Sequence, residues 1–202
     1  VSIRGSSSKQ VQLYIDGQLV NDSQFGGFDL NQIPTEHIQS IEISKNQAIG
    51  AGSTPIGGVI RINTYNPNQD KLKLSLSLGS FNHKQLNLLY NKAFQSNNLS
   101  VGGSYLKTDN DYEYPVPQSF TSSNESSIEP LGNNQFEKKN VYLNNQLSFG
   151  AHKIRITAQY NEQEKALPNY QNNTPENASS LSSDTWRLSY RHNIYTNLKW
   201  LD

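Results

Sequence analysis

From residue 71 onward the chain obeys one rule, strict alternation of apolar and polar residues, and that rule decides most of what it can become. In Lys71–Gly79 the even positions are Leu72, Leu74, Leu76 and Leu78, while Lys71, Lys73, Ser75 and Ser77 take the odd ones. Successive side chains of a strand point to opposite faces, so this run has one greasy face and one polar face. The rule then repeats. Leu86, Leu88, Tyr90 and Phe94 oppose Gln85, Asn87 and Asn91, with Leu89 and Lys92 out of phase; Leu99, Val101, Gly103 and Tyr105 oppose Asn98, Ser100 and Ser104. Val141, Leu143, Leu147 and Phe149 oppose Asn144, Gln146 and Ser148; Ile154, Ile156, Ala158 and Tyr160 oppose Lys153, Arg155, Thr157 and Gln159. A sixth run sets Trp186, Leu188, Tyr190 and Ile194 against Arg187, Ser189 and Arg191, and 197–201 reads as the start of a seventh.

Two architectures satisfy this pattern: a soluble antiparallel sandwich, greasy face inward, and a membrane barrel, greasy face outward. The runs are nearer the ~9–11 residues that cross a bilayer when tilted than the ~5–6 of an average soluble strand. Their connections alternate in length. Segments 95–98, 150–153 and 193–197 are tight, whereas 109–139 and 162–184 are long, polar and rich in Asn, Ser and Pro. The short 79–84 hairpin breaks that rhythm. Phe94 and Phe149 border tight turns and Tyr105, Tyr160 and Trp186 approach the long loops, where interfacial aromatic girdles belong.

Composition narrows the classes further. Of 202 residues only 34% are apolar, against ~45–50% for an ordinary soluble domain, so one conventional core is not expected. Seventeen basic and seventeen acidic residues cancel, which leaves no overall field for nucleic acid. Cys is absent, and with it disulfides, thiolate metal sites and cysteine nucleophiles. No apolar run approaches the ~20 residues of a membrane helix, which excludes helical spanning and leaves barrel spanning open. Met is also absent and the chain opens on Val1. We therefore expect an internal piece of a longer protein, lacking its natural start and end.

The first sixty-odd residues follow a different grammar. Gly-bearing turns at 16–17, 26–27, 50–52 and 57–58 separate β-rich runs at 11–15, 41–44 and 59–63, and Pro34 with Glu36 predicts a short helix over 34–38. This is a small α+β unit, followed by a linker over 65–68. Ile3-Arg4-Gly5, Leu13-Tyr14-Ile15-Asp16-Gly17, Ile33-Pro34, Ile38-Gln39-Ser40-Ile41-Glu42-Ile43 and Pro55-Ile56-Gly57-Gly58-Val59-Ile60-Arg61-Ile62-Asn63-Thr64 stand in an order that resembles the second half of the plug domain of TonB-dependent outer-membrane receptors. The fold class expected is mainly β: a partial transmembrane antiparallel β-barrel preceded by part of a small α+β plug domain. Residues 1–65 are the carboxy-terminal part of the plug, and 66–202 the first six to seven barrel strands.

The resemblance implies energy-coupled uptake of a scarce, bulky nutrient across the outer membrane of a Gram-negative bacterium, a ferric siderophore first, with cobalamin or haem as alternatives in the same family. A plugless porin or a structural or adhesive barrel is the alternative of another class. The implied partners are the TonB-ExbB-ExbD energy-transducing complex, reached through a TonB box missing from this chain, the imported ligand, and outer-membrane lipid; no cofactor and no nucleic acid are implied. The resemblance places Asp22, Gln24, Phe25 and Phe28 on a plug loop that meets ligand, and makes Arg4 and Lys45 plug-to-barrel locks. Lys45 is the weaker of the two, because an ammonium cannot copy a bidentate guanidinium.

In the long connections, Tyr112, Tyr114 and Tyr170 are candidate ligand contacts. Asp109, Asp111 and Glu113 alternate as oxygen ligands of Ca²⁺ would, but no glycine-bearing loop frame accompanies them, and solvated loop acids are the plainer reading. No nucleophile elbow, zinc-protease motif or complete dinucleotide loop is present, so enzymatic readings find no support. His37, His83, His152 and His192 stand singly and read as surface or strand residues.

Overall fold

The computed structural model describes residues 5–21, 26–28, 30, 33, 37–44, 57–64, 69–116, 127–170, 173 and 178–195, within two compact units, 1–67 and 68–202.

In the first unit a 3-10 turn, Ser8–Gln10, leads into β1 (Val11–Ile15), β2 (Gln18–Leu19), β3 (Ile38–Ser44) and β4 (Gly58–Thr64), ordered β2-β1-β4-β3. Asp16 (φ 49°) and Gly17 (φ 81°) are both left-handed, the conformation a two-residue hairpin between twisted strands requires. Asp16 also serves the sheet's far side: its carboxylate accepts the Thr64 amide at 2.9 Å and the Thr64 hydroxyl at 2.6 Å. β1 lies parallel to β4, with Leu13 beside Ile60. Val11, Leu13, Val20, Ile33, Ile60 and Ile62 bury together as the core of the unit, and each contributes about 1.5–3 kcal/mol through lost water contact.

Asn21 does the work of a missing strand partner. Its side-chain oxygen accepts the Leu13 amide at 2.7 Å and its Nδ2 donates to Val11 O at 2.8 Å and Gly26 O at 2.9 Å. Of the helix expected over 34–38, residues 34–36 lie outside the described residues, His37 is buried and ends a 3-10 turn, and Ile38 already belongs to β3. The surface or strand position expected for His37 is thus corrected.

The second unit is one six-stranded antiparallel sheet, β12-β11-β10-β7-β6-β5, plus a two-stranded ribbon. Its strands are β5 (Lys71–Gly79), β6 (His83–Ala93), β7 (Asn97–Thr108), β10 (Phe136–Phe149), β11 (His152–Ala166) and β12 (Ser180–Ile194); β8 (Glu113–Pro115) and β9 (Ile128–Pro130) form the ribbon. The six alternating runs are the six strands of the sheet, and the seventh, 197–201, lies outside the described residues. β10, β11 and β12 are longer than expected, at 14, 15 and 15 residues. Their extra length lies toward the long connections, where both faces are mostly polar; regular hydrophobic alternation stops there while ladder pairing continues.

This sheet is built inside out. Asn87, Asn91, Ser100, Asn140, Asn144, Gln146 and Asn161 are buried on the polar face, whereas Leu72, Leu74, Leu76, Leu78, Trp186 and Leu188 of the apolar face are 68–75% exposed. A soluble sandwich would hide those leucines against a second sheet. Instead the polar face is stitched by side chains. Ser100 donates to Asn91 at 2.7 Å, Asn87 to Ser75 at 3.1 Å, Arg155 to Gln146 at 3.0 Å, and Asn140 to Asn161. Leu89, out of phase in the sequence, is 1% exposed on this same face, in register with Gly102, which in turn faces buried Tyr142. Glycine leaves room there for the two large neighbours.

Candidate functional site

The rim carrying the long connections holds the aromatic residues expected to meet ligand. Three pieces of chain build it. The tight β5–β6 turn projects Phe81, held with Asn82 in left-handed backbone at φ 58° and 53°. Phe81 O is fixed from below by the Asp109 amide at 2.9 Å and the Thr108 hydroxyl at 3.0 Å. The ribbon β8–β9 brings Tyr112 and Tyr114, anchored by buried Val116 and Leu131. The β11–β12 connection brings Tyr170.

These rings meet. Phe81 and Tyr112 pack edge to face at 6.2 Å between centroids, and Tyr114 and Tyr170 do the same at 6.1 Å. The Tyr112 hydroxyl is 3.4 Å from the Tyr170 hydroxyl, and Tyr114 donates to Tyr170 O at 3.3 Å. The hydrogen bond with Tyr170, and then partial burial, push the Tyr112 phenol above its ordinary range. Partial burial, then the nearby Glu129 carboxylate, do the same to Tyr114. Both hydroxyls therefore remain protonated at any physiological pH. The product is a half-exposed aromatic platform with neutral hydroxyls, suited to a bulky ligand that offers both apolar faces and hydrogen-bond acceptors.

Asparagines lock the platform's supports. Asn173 Oδ1 accepts the Gly132 amide at 2.8 Å while its Nδ2 donates to Pro130 O at 3.0 Å and Glu129 at 3.3 Å. Asn133 Nδ2 donates to Leu167 O and Ser179 O at 3.0 and 2.8 Å, and Asn110 and Asn134 bond each other's main chain at 3.3 and 2.8 Å. Asn110 and Asn133 are left-handed, which asparagine tolerates better than most side chains. Two connections read as polar loops are in this way tied into one layer.

Other expected positions fare differently. Phe28 packs, half-buried, against the core of the first unit. Asp22, Gln24, Phe25, Arg4 and Lys45 lie outside the described residues. Asp109, Asp111 and Glu113 do not gather with other acids or histidines into a metal-holding group among the described residues, and Asp109 instead accepts from Asn82 at 2.9 Å. His152 and His192, expected to stand singly, are neighbours: their ring nitrogens are 2.9 Å apart, and Phe149 stacks on His152. The sequence reading also missed Phe81, Asn110, Asn133 and Asn134; only the Asn-Asn pair at 133–134 signalled turn chemistry beforehand.

Comparison with known proteins gives these features a family. Residues 1–59 match the TonB-dependent Receptor Plug Domain. The chain is 38% identical over 88 residues to the vitamin B12 transporter BtuB of Vibrio vulnificus, covering 43% of this chain and 14% of that protein. It is 34% identical over 121 residues to the Vibrio cholerae protein of the same name, covering 57% of this chain and 19% of that protein. The chain thus spans under a fifth of the curated relatives it matches. A crystal structure of a mutant ferric enterobactin receptor, PfeA, from Pseudomonas aeruginosa shares the fold, with a TM-score of 0.64, 17% identity, and coverage of 95% of this chain and 31% of that one.

Residues 1–59 thus carry the plug-domain sequence of the TonB-dependent receptors, and the chain is similar to members of that family.

Proposed function

We propose that the receptor containing this chain takes up a scarce, bulky nutrient across the outer membrane of a Gram-negative bacterium, at the expense of energy delivered by the TonB-ExbB-ExbD complex. Residues 1–65 form the carboxy-terminal part of its plug and 66–202 its first barrel strands. The observation that carries the reading is the inverted sheet. Leucines 68–75% exposed on one face and asparagines buried on the other suit lipid outside and a wet interior. The platform of Tyr112, Tyr114, Tyr170 and Phe81 then captures ligand at the outer rim, and Asp22, Gln24 and Phe25 are separate candidate contacts.

A ferric siderophore is the first ligand class. Cobalamin is the second reading, favoured because both curated relatives named above are vitamin B12 transporters. The test is uptake by the full-length receptor in a bacterium stripped of its own receptors. Import of a labelled ferric siderophore, cyanocobalamin or haem should stop when TonB is deleted or the proton gradient collapsed. Entry that persists without energy marks a passive pore and overturns the reading.

A further inference from the structure

The polar face of the six-stranded sheet carries charge of one sign only. At every described position of that phase, from β5 through β7 and from β10 through β12, the charged residues are Lys or Arg, and none is Asp or Glu. The acids of these strands, Glu137, Glu162, Glu164 and Asp184, all fall in the opposite phase. There the chain does pair its charges: Lys107 with Glu137 at 3.7 Å, and Lys139 with Glu162 at 3.0 Å. Cations and carboxylates are therefore sorted by face.

The sorting has a cost that pairing alone would have avoided. Arg155 and Arg191 are register partners on neighbouring strands, so two like charges stand directly opposite on the polar face. Arg187 lies two rows away on the same face, past Thr157 and Ser189, opposite Gln159. Lys153 stands opposite Asn193 in the row adjoining Arg155 and Arg191 on the other side, and Lys73 carries the same sign to the sheet's other edge. A wall of uniform sign raises the local concentration of oppositely charged solute and repels its own kind. Neutral solute gains nothing from it.

We propose that this face is an electropositive wall that selects a net-anionic cargo over a neutral one. The proposal rests on the uptake reading above and sharpens it, favouring anionic iron complexes over a neutral corrinoid. Uptake at limiting concentration is compared for anionic probes (ferric tris-catecholate, ferric citrate, haem) and for neutral cyanocobalamin, in the full-length receptor and in its Arg155→Gln/Arg187→Gln/Arg191→Gln variant. At equal surface abundance the triple variant should import the anionic cargo at least about tenfold more slowly. The three Arg→Lys replacements, which keep charge but not guanidinium geometry, should retain most of the rate. If the triple variant fails to reach the membrane, Lys73→Gln/Lys153→Gln reads the same charge and should slow the anion. Wild-type rates in the neutralised variants overturn the proposal, as does wild-type import of cyanocobalamin in preference to every anion. Energy-dependent import that ignores charge defeats this inference alone, whereas no energy-dependent import of any probe defeats the uptake reading with it.

Discussion

The hydroxyls of Tyr112 and Tyr170 lie 3.4 Å apart although 58 positions separate them in the chain. Each comes from a different long connection, so the contact reports that two loops share one layer. Tyr170→Ala removes both this bond and the ring that meets Tyr114, and should weaken ligand binding by the full-length receptor about tenfold or more. Tyr170→Phe keeps the ring and should lose less; titration calorimetry with the imported ligand ranks the two. Equal losses would assign the effect to the hydroxyl.

Because the Tyr112 and Tyr114 phenols are raised above their ordinary range, the platform's hydrogen bonds have a defined pH window. They are complete below the unfolded tyrosine value of about 10 and are lost as pH rises through the still higher folded values. Binding measured from pH 6 to 9 should therefore show no step from these groups. A step in that range that disappears in Tyr112→Phe would contradict the assignment.

Asn173 closes three hydrogen bonds between the β8–β9 ribbon and the β11–β12 connection. Asn173→Ala should free the ribbon, with a loss of about 1–3 kcal/mol for the orphaned partners. Hydrogen exchange of the Gly132 amide should quicken, while amides in the middle of β10 and β11 keep their protection. Unchanged exchange at Gly132 would show that the lock carries no weight.

In the plug unit, Asn21 holds the edge of β1 by two side-chain hydrogen bonds and ties Gly26 to it by a third. Asn21→Ala should speed exchange of the Leu13 amide, its bonded donor, by about tenfold or more. At Gly57 an added Cβ would lie 3.0 Å from Gln10 O and overlap Ser6 Oγ, so Gly57→Ala should destabilise the same sheet. Exchange rates matching wild type in both variants would remove these residues from the account.

Much of the second unit was legible because strand period and burial coincide there. Leu72, Leu74, Leu76 and Leu78 announce both the strand and the face of β5, and β6 and β7 follow suit. Legibility failed where only backbone pairing continues. From 161 to 165 β11 is polar on both faces, and nothing in Asn161-Glu162-Gln163-Glu164-Lys165 distinguishes a ladder from a loop. The site was half legible. Its tyrosines stood out as aromatics in polar connections, whereas Phe81 looked like turn filler, because its role depends on a left-handed backbone and a ring thirty-odd residues away. The Asn locks were invisible for a similar reason: asparagine composition marks a loop, but only geometry shows that Asn133 and Asn173 bind a different one.

The central claim is that the apolar face meets lipid and the polar face a wet interior. On the apolar face, Leu74→Arg or Leu188→Arg should cost about 2–4 kcal/mol near mid-bilayer, whereas Ser75→Arg or Ser189→Arg, one residue along, should be tolerated. The most direct measurement is spin-label accessibility in the full-length receptor in outer-membrane vesicles, scanned residue by residue along 72–78 and 186–190. The account predicts a two-residue period, with oxygen reaching Leu72, Leu74, Leu76, Trp186, Leu188 and Tyr190 while a water-soluble nickel chelate reaches the positions between. Accessibility without that period, or with the two quenchers exchanged between faces, would contradict it.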